Sequence, residues 1–293
     1  KAIGVEIIDT ENQPAGQAGK KTEEFYARII FLNAATVATT FILLNSTSSR
    51  FPNGLGNGSD QVGRNLMDHF KGLSISADVD GFEDSYYYGR RPTSLYIPRF
   101  QNIKDKTAGF IRGYYFGANA YRSRQSNAEV IGEGLKEALT EPGPWQMNLW
   151  ASGECLPYAE NRITLDTNKK DNWGRPIITI DCEFKENEKA MYENGKITGP
   201  EIMEAAGFKN ISVNGAISFP GNANHEMGTA RMGNDPKTSV LNKWNQLHEC
   251  PNVFITDGSC MTSSACLNPS LTYMALTARA CDHAISEMKR LNL

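Results

Sequence analysis

The stretch that most constrains the fold lies near the C-terminus. Asn268-Pro269 sets an amide where a helix N-cap belongs and a proline at the first helical position. Leu271, Met274, Ala275, Ala278, Cys281, Ile285 and Met288 then recur at helical spacing to about Arg290, which predicts one long helix with one buried face. Just upstream, Asn252-Val253-Phe254-Ile255-Thr256 reads as a buried strand that ends on Asp257-Gly258. A strand, a glycine turn and an amphipathic helix in that order require a second layer to pack on, and so an α/β or α+β architecture.

The N-terminal part repeats the pattern. Residues 2–9 read as a strand covered on both faces, 12–19 as a polar loop, and Glu24–Leu32 as the returning strand. Asn33-Ala34-Ala35-Thr36 is a small, tight turn, and Val37–Asn45 reads as a helix on that strand. Such a unit can approach a nucleotide cofactor or simply pack closely; both readings stand at this point. The chain opens without Met in what reads as mid-strand, so we expect a preceding portion.

Pro52-Asn53-Gly54-Leu55-Gly56-Asn57-Gly58-Ser59 is rich in glycine, but no strand leads into it and no helix leaves its last glycine. It fails as a phosphate cradle and reads as a surface or lid loop. Asp68-His69 follows; side chains adjacent in sequence seldom face each other, and a structural role is the expectation.

From about 71 to 190 short strand-like runs dominate: Leu73–Val79, Gly109–Phe116, Trp145–Ala151, Arg162–Leu165 and Ile177–Cys182. One helix near Ala128–Leu139 interrupts them. These predict a mixed or antiparallel sheet. Its aromatic residues, among them Tyr86, Tyr87, Tyr88, Tyr96, Tyr114, Tyr115, Phe116, Trp145 and Trp150, suit either stacking on sugar rings or an aromatic core. Glu186–Ala206 has helical character, broken near Gly195 and at Gly199-Pro200, and Phe208–Val213 reads as a strand.

Composition removes some function classes. With 293 residues, 22% charged and a formal net charge of −3, the chain has no basic footprint for nucleic acid. The clusters Arg90-Arg91 and Arg122-Ser123-Arg124 read as solvated surface. The 6 cysteines show no metal-site spacing and read as mostly buried, inert thiols. Phe25–Leu44, the most apolar region, is interrupted by Arg28 and Asn33 and falls short of a membrane span.

The chemistry gathers at the C-terminal end. His225 sits in a loop among polar residues and glycines, where an imidazole can take a proton from an alcohol while hydride leaves the carbon. Asp257-Gly258 suits close approach to a cofactor, the acid bonding a hydroxyl. The helix start at Pro269 stabilises an anion placed before it, as on a reduced flavin. His225 and Asn268 are far apart in sequence, and only a fold can join them.

These residues together resemble the glucose–methanol–choline (GMC) family of flavoprotein oxidoreductases. The resemblance rests on His225 with Gly228-Thr229-Ala230-Arg231-Met232-Gly233, on Asp257-Gly258-Ser259 and on Asn268-Pro269-Ser270-Leu271-Thr272. Upstream it rests on Phe31–Leu44 and on Gly63-Arg64-Asn65-Leu66-Met67-Asp68-His69. It implies FAD as cofactor and oxidation of a primary or secondary alcohol group, with His225 as base, Asn268 orienting the hydroxyl and hydride passing to flavin N5. Ala35, Asp257, Gly258, Asn268, Pro269 and Thr272 are the implied cofactor contacts. The Asn form of the pair looks closest to bacterial sugar and glucoside dehydrogenases, so a small-molecule alcohol or sugar is the expected substrate. The electron acceptor (quinone, cytochrome or oxygen) stays open, as does an escort or electron-transfer subunit.

The implied fold is part of a flavin-binding, Rossmann-like domain (1–70 and 216–293) plus a substrate domain (71–215). Two departures stand out. The dinucleotide-binding glycine motif is missing, and the family's alanine–glycine step is here Ala34-Ala35-Thr36. A non-catalytic carbohydrate-binding module and a nicotinamide-dependent dehydrogenase are the rival readings. The first requires His225 and Asn268 to be dispensable; the second requires a fingerprint after the first strand.

Overall fold

A computed structural model describes residues 1–10, 21–85, 94–104, 106–124 and 131–293. In chain order the elements are β1 (Gly4–Ile8), β2 (Thr22–Tyr26), β3 (Ile30–Leu32), α1 (Thr36–Asn45), β4 (His69–Val79) and β5 (Leu95–Ile97). Then come β6 (Tyr114–Arg124), α2 (Glu133–Ala138), β7 (Pro142–Glu154), β8 (Arg162–Lys170), β9 (Pro176–Asp181) and α3 (Glu186–Ala205). The chain closes with β10 (Lys209–Asn214), β11 (Val253–Ile255) and α4 (Ser270–Lys289).

The largest layer is a 5-stranded antiparallel sheet in the order β10-β4-β7-β6-β5. Alternation along its strands sends Leu73, Ile75, Tyr114, Phe116, Leu149 and Ala151 to one face, where all are buried. Helix α3 covers that face as one continuous element through Gly195, Gly199 and Pro200, so the break expected there does not occur. The glycines are where the helix presses on the sheet. A Cβ at 195 would lie 2.9 Å from Leu73 Cδ2, and one at 199 would lie 2.0 Å from Ile75 Cδ1. Packing against the sheet outweighs the low helix propensity of these residues. The helix start is held by Glu188, which is buried, accepts from the Lys185 N–H at 2.9 Å and also accepts from the Leu156 N–H.

A second, smaller layer brings the two ends of the chain together. β3 and β11 pair in parallel, Phe31 opposite Phe254, and the two rings stack at 4.9 Å. α1 leaves β3 through Ala35, and a short 3₁₀ turn, Gly258–Cys260, follows β11. β8 and β9 form a separate antiparallel hairpin.

Several expectations are corrected. Glu24–Leu32 is not one strand but β2 and β3 with a break between them, so that β2 can pair with β1 while β3 pairs with β11. Strand β1 is not covered on both faces: Val5 and Ile7 are exposed. The glycine-rich loop is no lid. Gly54, Gly56 and Asn57 are buried, and the Leu55 N–H donates to Leu43 O of α1 at 2.9 Å. The apolar stripe expected on α4 is not its buried face: Leu271, Met274, Ala275, Ala278, Ile285 and Met288 are exposed, and the helix instead packs through Ala280 and Ala284 against Phe254 and Leu293. Periodicity reports amphipathicity, and here two small residues outside the stripe let the helix close on the strand. Arg122 is half-buried, donating to Gly143 O at 2.7 Å and lying over the Trp145 ring, and is not solvated surface. Tyr86–Tyr88, Arg90-Arg91, the 12–19 loop and the first residues of the 128–139 helix fall outside the described residues.

The contact between α3 and the sheet is directly testable. Gly199→Val forces the helix off Ile75 and lowers stability by about 1–3 kcal/mol, the usual range for overpacking, read as a lower midpoint in urea with the slope unchanged.

Candidate active site

His225 is placed by a buried carboxylate. Asp68, 2% exposed, stands just before β4 and accepts from the backbone N–H groups of Gly221 at 2.7 Å, Ala223 at 3.2 Å and His225 at 3.2 Å. A charge buried at this depth needs several donors, and the loop supplies them. On the next turn of chain, Met67 and Met227 exchange backbone hydrogen bonds of 2.9 Å each way. The loop carrying His225 is therefore tied to the strand at both ends.

Asp68 and His69 point to opposite sides of an extended backbone, so one dipeptide serves two purposes. While Asp68 holds the loop backbone, the fully buried His69 places Nδ1 2.9 Å from His225 Nδ1. Asp68 and His69 do not face each other, and each meets the His225 loop instead. The one local signal of this in the sequence is an Asp-His step at the start of a strand.

The other side of the His225 ring meets Asn268, whose Nδ2 lies 2.8 Å from His225 Nε2. The fold thus joins the residues singled out as base and partner. Asn268 is not the helix cap expected from the sequence. The N-cap of α4 is Pro269, with no side-chain cap bond, and the amide of Asn268 is left facing the imidazole.

Beside this pair lies a cavity of about 500 Å³. Ala35, His225, Asp257, Gly258, Pro269 and Ser270 are among its lining residues. Of the remaining residues singled out as cofactor contacts, neither Asn268 nor Thr272, exposed on the first turn of α4, lines it. Asp257 has both carboxylate oxygens engaged by the chain's own donors, one by Thr39 and the other by the N–H and hydroxyl of Ser259. Gly258 is fixed by packing, since a Cβ there would meet Glu226 O at 2.6 Å and Thr36 Oγ1 at 2.7 Å. Ala35 takes φ 69° and ψ 156°, a backbone conformation that favours glycine. The α4 start that faces the cavity has no acidic residue in its first turn, so the partial positive charge of the helix end is not neutralised by its own side chains.

The electrostatics favour uncharged rings. Burial, and after it the Lys71 ammonium, lower the pKa of His225 below the usual imidazole value, with Asp68 and Glu226 opposing. Burial, then His225 itself, lower that of His69. A neutral His225 can accept a proton at Nε2 from a hydroxyl that displaces the Asn268 amide now 2.8 Å from it. The thiols add no nucleophile here. All six cysteines are free, and burial pushes the Cys260 thiol up to about 12 and that of Cys266 to about 11.

The aromatic residues lie on both faces of the sheet. Tyr114 and Phe116 are core. On the opposite face of the sheet, Tyr96 packs at 5.0 Å on Tyr115, Trp150 lies over Gly117, and Ser74 donates to Asn148 Oδ1 at 2.7 Å.

The Asp68 anchor predicts a local effect. Asp68→Ala leaves three backbone donors without their partner and costs about 2–4 kcal/mol, more than one unsatisfied buried group. Hydrogen exchange accelerates at Gly221, Ala223 and His225 before it does in β4; uniform loss of protection would show that Asp68 supports the fold as a whole instead.

Comparison with known proteins fits this geometry. The family model described as GMC oxidoreductase matches residues 157–277. The chain is 32% identical over 292 residues to the 2-methyl-1,2-propanediol dehydrogenase of Mycolicibacterium austroafricanum, covering 97% of this chain and 51% of that protein. It is 28% identical over 283 residues to the fructose dehydrogenase large subunit of Gluconobacter japonicus, covering 92% of this chain and 49% of that protein. The chain therefore spans about half the length of the curated relatives it matches. Among solved structures, a formate oxidase from Aspergillus oryzae aligns with a TM-score of 0.58 at 16% identity, and a pyridoxine 4-oxidase with 0.54 at 18%. Each alignment covers 99% of this chain, with 58% and 55% of the other, and shows a shared fold. Residues 157–277 thus carry the C-terminal domain of the GMC oxidoreductase family.

Proposed function

We propose that this chain carries the catalytic pair of an FAD-dependent enzyme that oxidises an alcohol group of a sugar or small polyol. The observation that supports it most directly is the His225–Asn268 contact at the edge of the cavity where α4 begins. Residues 1–70 and 216–293 belong on this reading to the cofactor side, and 71–215 to the substrate side.

The cavity fits the cofactor's needs. Its lining joins the backbone at Ala35, the Gly258 turn and the start of α4, so that backbone N–H groups and one helix end are available to a planar, partly anionic ring system. Ala35, Gly258, Pro269 and Ser270 are the residues we assign to hold it, with Asp257 shaping the turn and Thr272 in the first turn of α4. When bound, FAD supplies the two-electron acceptor for the carbinol carbon.

The remaining work falls to the chain's own residues. His225 Nε2 accepts the hydroxyl proton, and the Asn268 amide orients the oxygen. Asp68 fixes the loop so that the imidazole does not have to reorganise as the proton moves. The outer face of the sheet, with Trp150, Tyr115, Asn148 and Ser74, is suited to rings and hydroxyls of a sugar. Names among the relatives agree with this substrate class: a diol dehydrogenase, a fructose dehydrogenase and a paromamine 6'-oxidase from Streptomyces fradiae. We favour a dehydrogenase over an oxidase, and the "large subunit" in the fructose dehydrogenase name supports an electron-transfer partner.

The test is made on the protein at its gene-encoded length. A visible flavin spectrum that bleaches anaerobically on adding a sugar or polyol, and recovers with a quinone or dye, is the expected result. A colourless protein would overturn the reading. His225→Ala lowers kcat roughly 10²- to 10⁴-fold, the scale of losing a positioned base, and Asn268→Ala lowers it about tenfold. Because the His225 pKa is depressed, the wild-type rate is level at neutral pH and falls only as pH drops below the usual imidazole value of about 6.5. Full activity in both variants would show that His225 and Asn268 are not the catalytic pair.

A further inference from the structure

The contacts of His69 determine which nitrogen of His225 carries a proton. His69 Nε2 faces two backbone carbonyl oxygens, Ala265 O at 2.9 Å and Ser264 O at 3.3 Å. A carbonyl oxygen only accepts, so Nε2 of His69 must be the N–H nitrogen. With the ring neutral, its Nδ1 is then a bare lone pair. The atom 2.9 Å away is His225 Nδ1, and two lone pairs do not face each other at that distance. His225 Nδ1 must therefore donate, and the bare nitrogen of His225 is Nε2. That is the atom 2.8 Å from the Asn268 amide donor, so every contact in the series agrees.

The carbonyls that begin the series are held in place. Ala265 adopts a left-handed φ of 54°, which turns its peptide away from the ordinary course of the chain. Its N–H bonds the buried carboxylate of Glu154, the residue opposite His69 in the β4–β7 register. On either side of it, Ser264 Oγ donates to Cys155 O at 3.1 Å and the Cys266 thiol to Gly113 O at 3.2 Å. The loop is clamped to the sheet on both sides of the two carbonyls that His69 reads.

We propose that His69 is a positioning residue that locks His225 in the Nδ1–H tautomer and so keeps Nε2 bare to receive the substrate proton. The proposal rests on the reading of His225 as the base, but the lock itself is a property of the chain alone. His69 is fully buried, so it acts through His225 and not on substrate. The scale of such control is known from triad enzymes, where a histidine held in the wrong tautomer loses about 10⁴ in kcat.

The experiment is a two-bond ¹H–¹⁵N correlation spectrum of the protein at its gene-encoded length, labelled at histidine. The His225 signals are assigned by their loss in His225→Ala. The expected result for His225 is a protonated, pyrrole-type Nδ1 and a bare, pyridine-type Nε2, with the reverse for His69. In His69→Phe the pyridine-type Nε2 signal of His225 is lost as the ring changes tautomer. In His69→Gln, whose amide can donate to the carbonyls and accept from His225, it is retained. Asn268→Ala leaves it in place, because the lock comes from the other side.

An Nε2–H His225 in the wild-type chain overturns the proposal, and so does an Nδ1–H tautomer that survives in folded His69→Phe. Should His69→Phe not fold, the wild-type and His69→Gln spectra decide. None of these readouts needs cofactor or turnover. A failed lock would therefore leave alcohol oxidation standing, and a failed oxidation would leave the tautomer result standing.

Discussion

The site depends on one carboxylate. Asp68 is nearly out of reach of water, and its charge is sustained by the amides of Gly221, Ala223 and His225. That makes the loop conformation and the buried carboxylate mutually dependent: the amides satisfy the acid, and the acid holds the loop. Because the bond is to the backbone of His225, it fixes where the ring starts without occupying either ring nitrogen. Both nitrogens remain for His69 and Asn268, one on each side.

The rest of the fold gives that arrangement rigidity. Met67 pairs with Met227, β4 runs on into a sheet buried under α3, and β3 pairs with β11 so that the Asp257–Gly258 turn lies against α1. The elements that meet at the cavity come from widely separated parts of the chain. Their mutual placement is set by backbone pairing and by buried hydroxyl contacts such as Thr36 to Glu226 O at 2.6 Å and Thr40 to Thr229. Contacts of this kind are directional, and a small shift would break several at once. A hydrophobic core alone would tolerate sliding that an imidazole contact does not.

What could be read from the sequence follows from the range of the interactions. Alternation and helical spacing are local, so α1, α4, β4 and β7 are legible within a few residues at their ends, whereas the run Gly109–Phe116 meets β6 (Tyr114–Arg124) only at its start and β5 (Leu95–Ile97) gives no signal of its own. The family motifs around His225 and Asn268 pointed to a pair that the fold then brings within 2.8 Å. What was hidden depends on contacts made across the chain. Gly199-Pro200 reads as a break because propensity is a local quantity, whereas the pressure of Ile75 on that helix is not. The β1 strand looks covered because it is apolar, but exposure depends on what lies over it. His69 was hidden for the same reason: nothing in its neighbourhood in sequence distinguishes a buried imidazole with two carbonyls and a second imidazole around it from one with ordinary core neighbours.

Asn268 shows how a local rule gives way at such a site. Its position before a proline makes it a favourable cap, and capping by an amide is worth about 1 kcal/mol. The structure forgoes that gain: Pro269 takes the N-cap place, the first turn of α4 has no side-chain cap, and the amide faces His225. A cap bond would use the amide oxygen as acceptor, whereas the imidazole contact uses the amide nitrogen, and of the two only the contact to His225 is made. The helix tolerates the loss because Ala280 and Ala284, well along its length, pack on Phe254, so its stability does not rest on its first turn. That leaves the uncapped N–H groups directed at the cavity, together with the positive end of the helix dipole. One residue out of its expected place thus changes two things: it gives His225 a partner on the open side, and it leaves the helix end available to whatever anionic group the cavity holds.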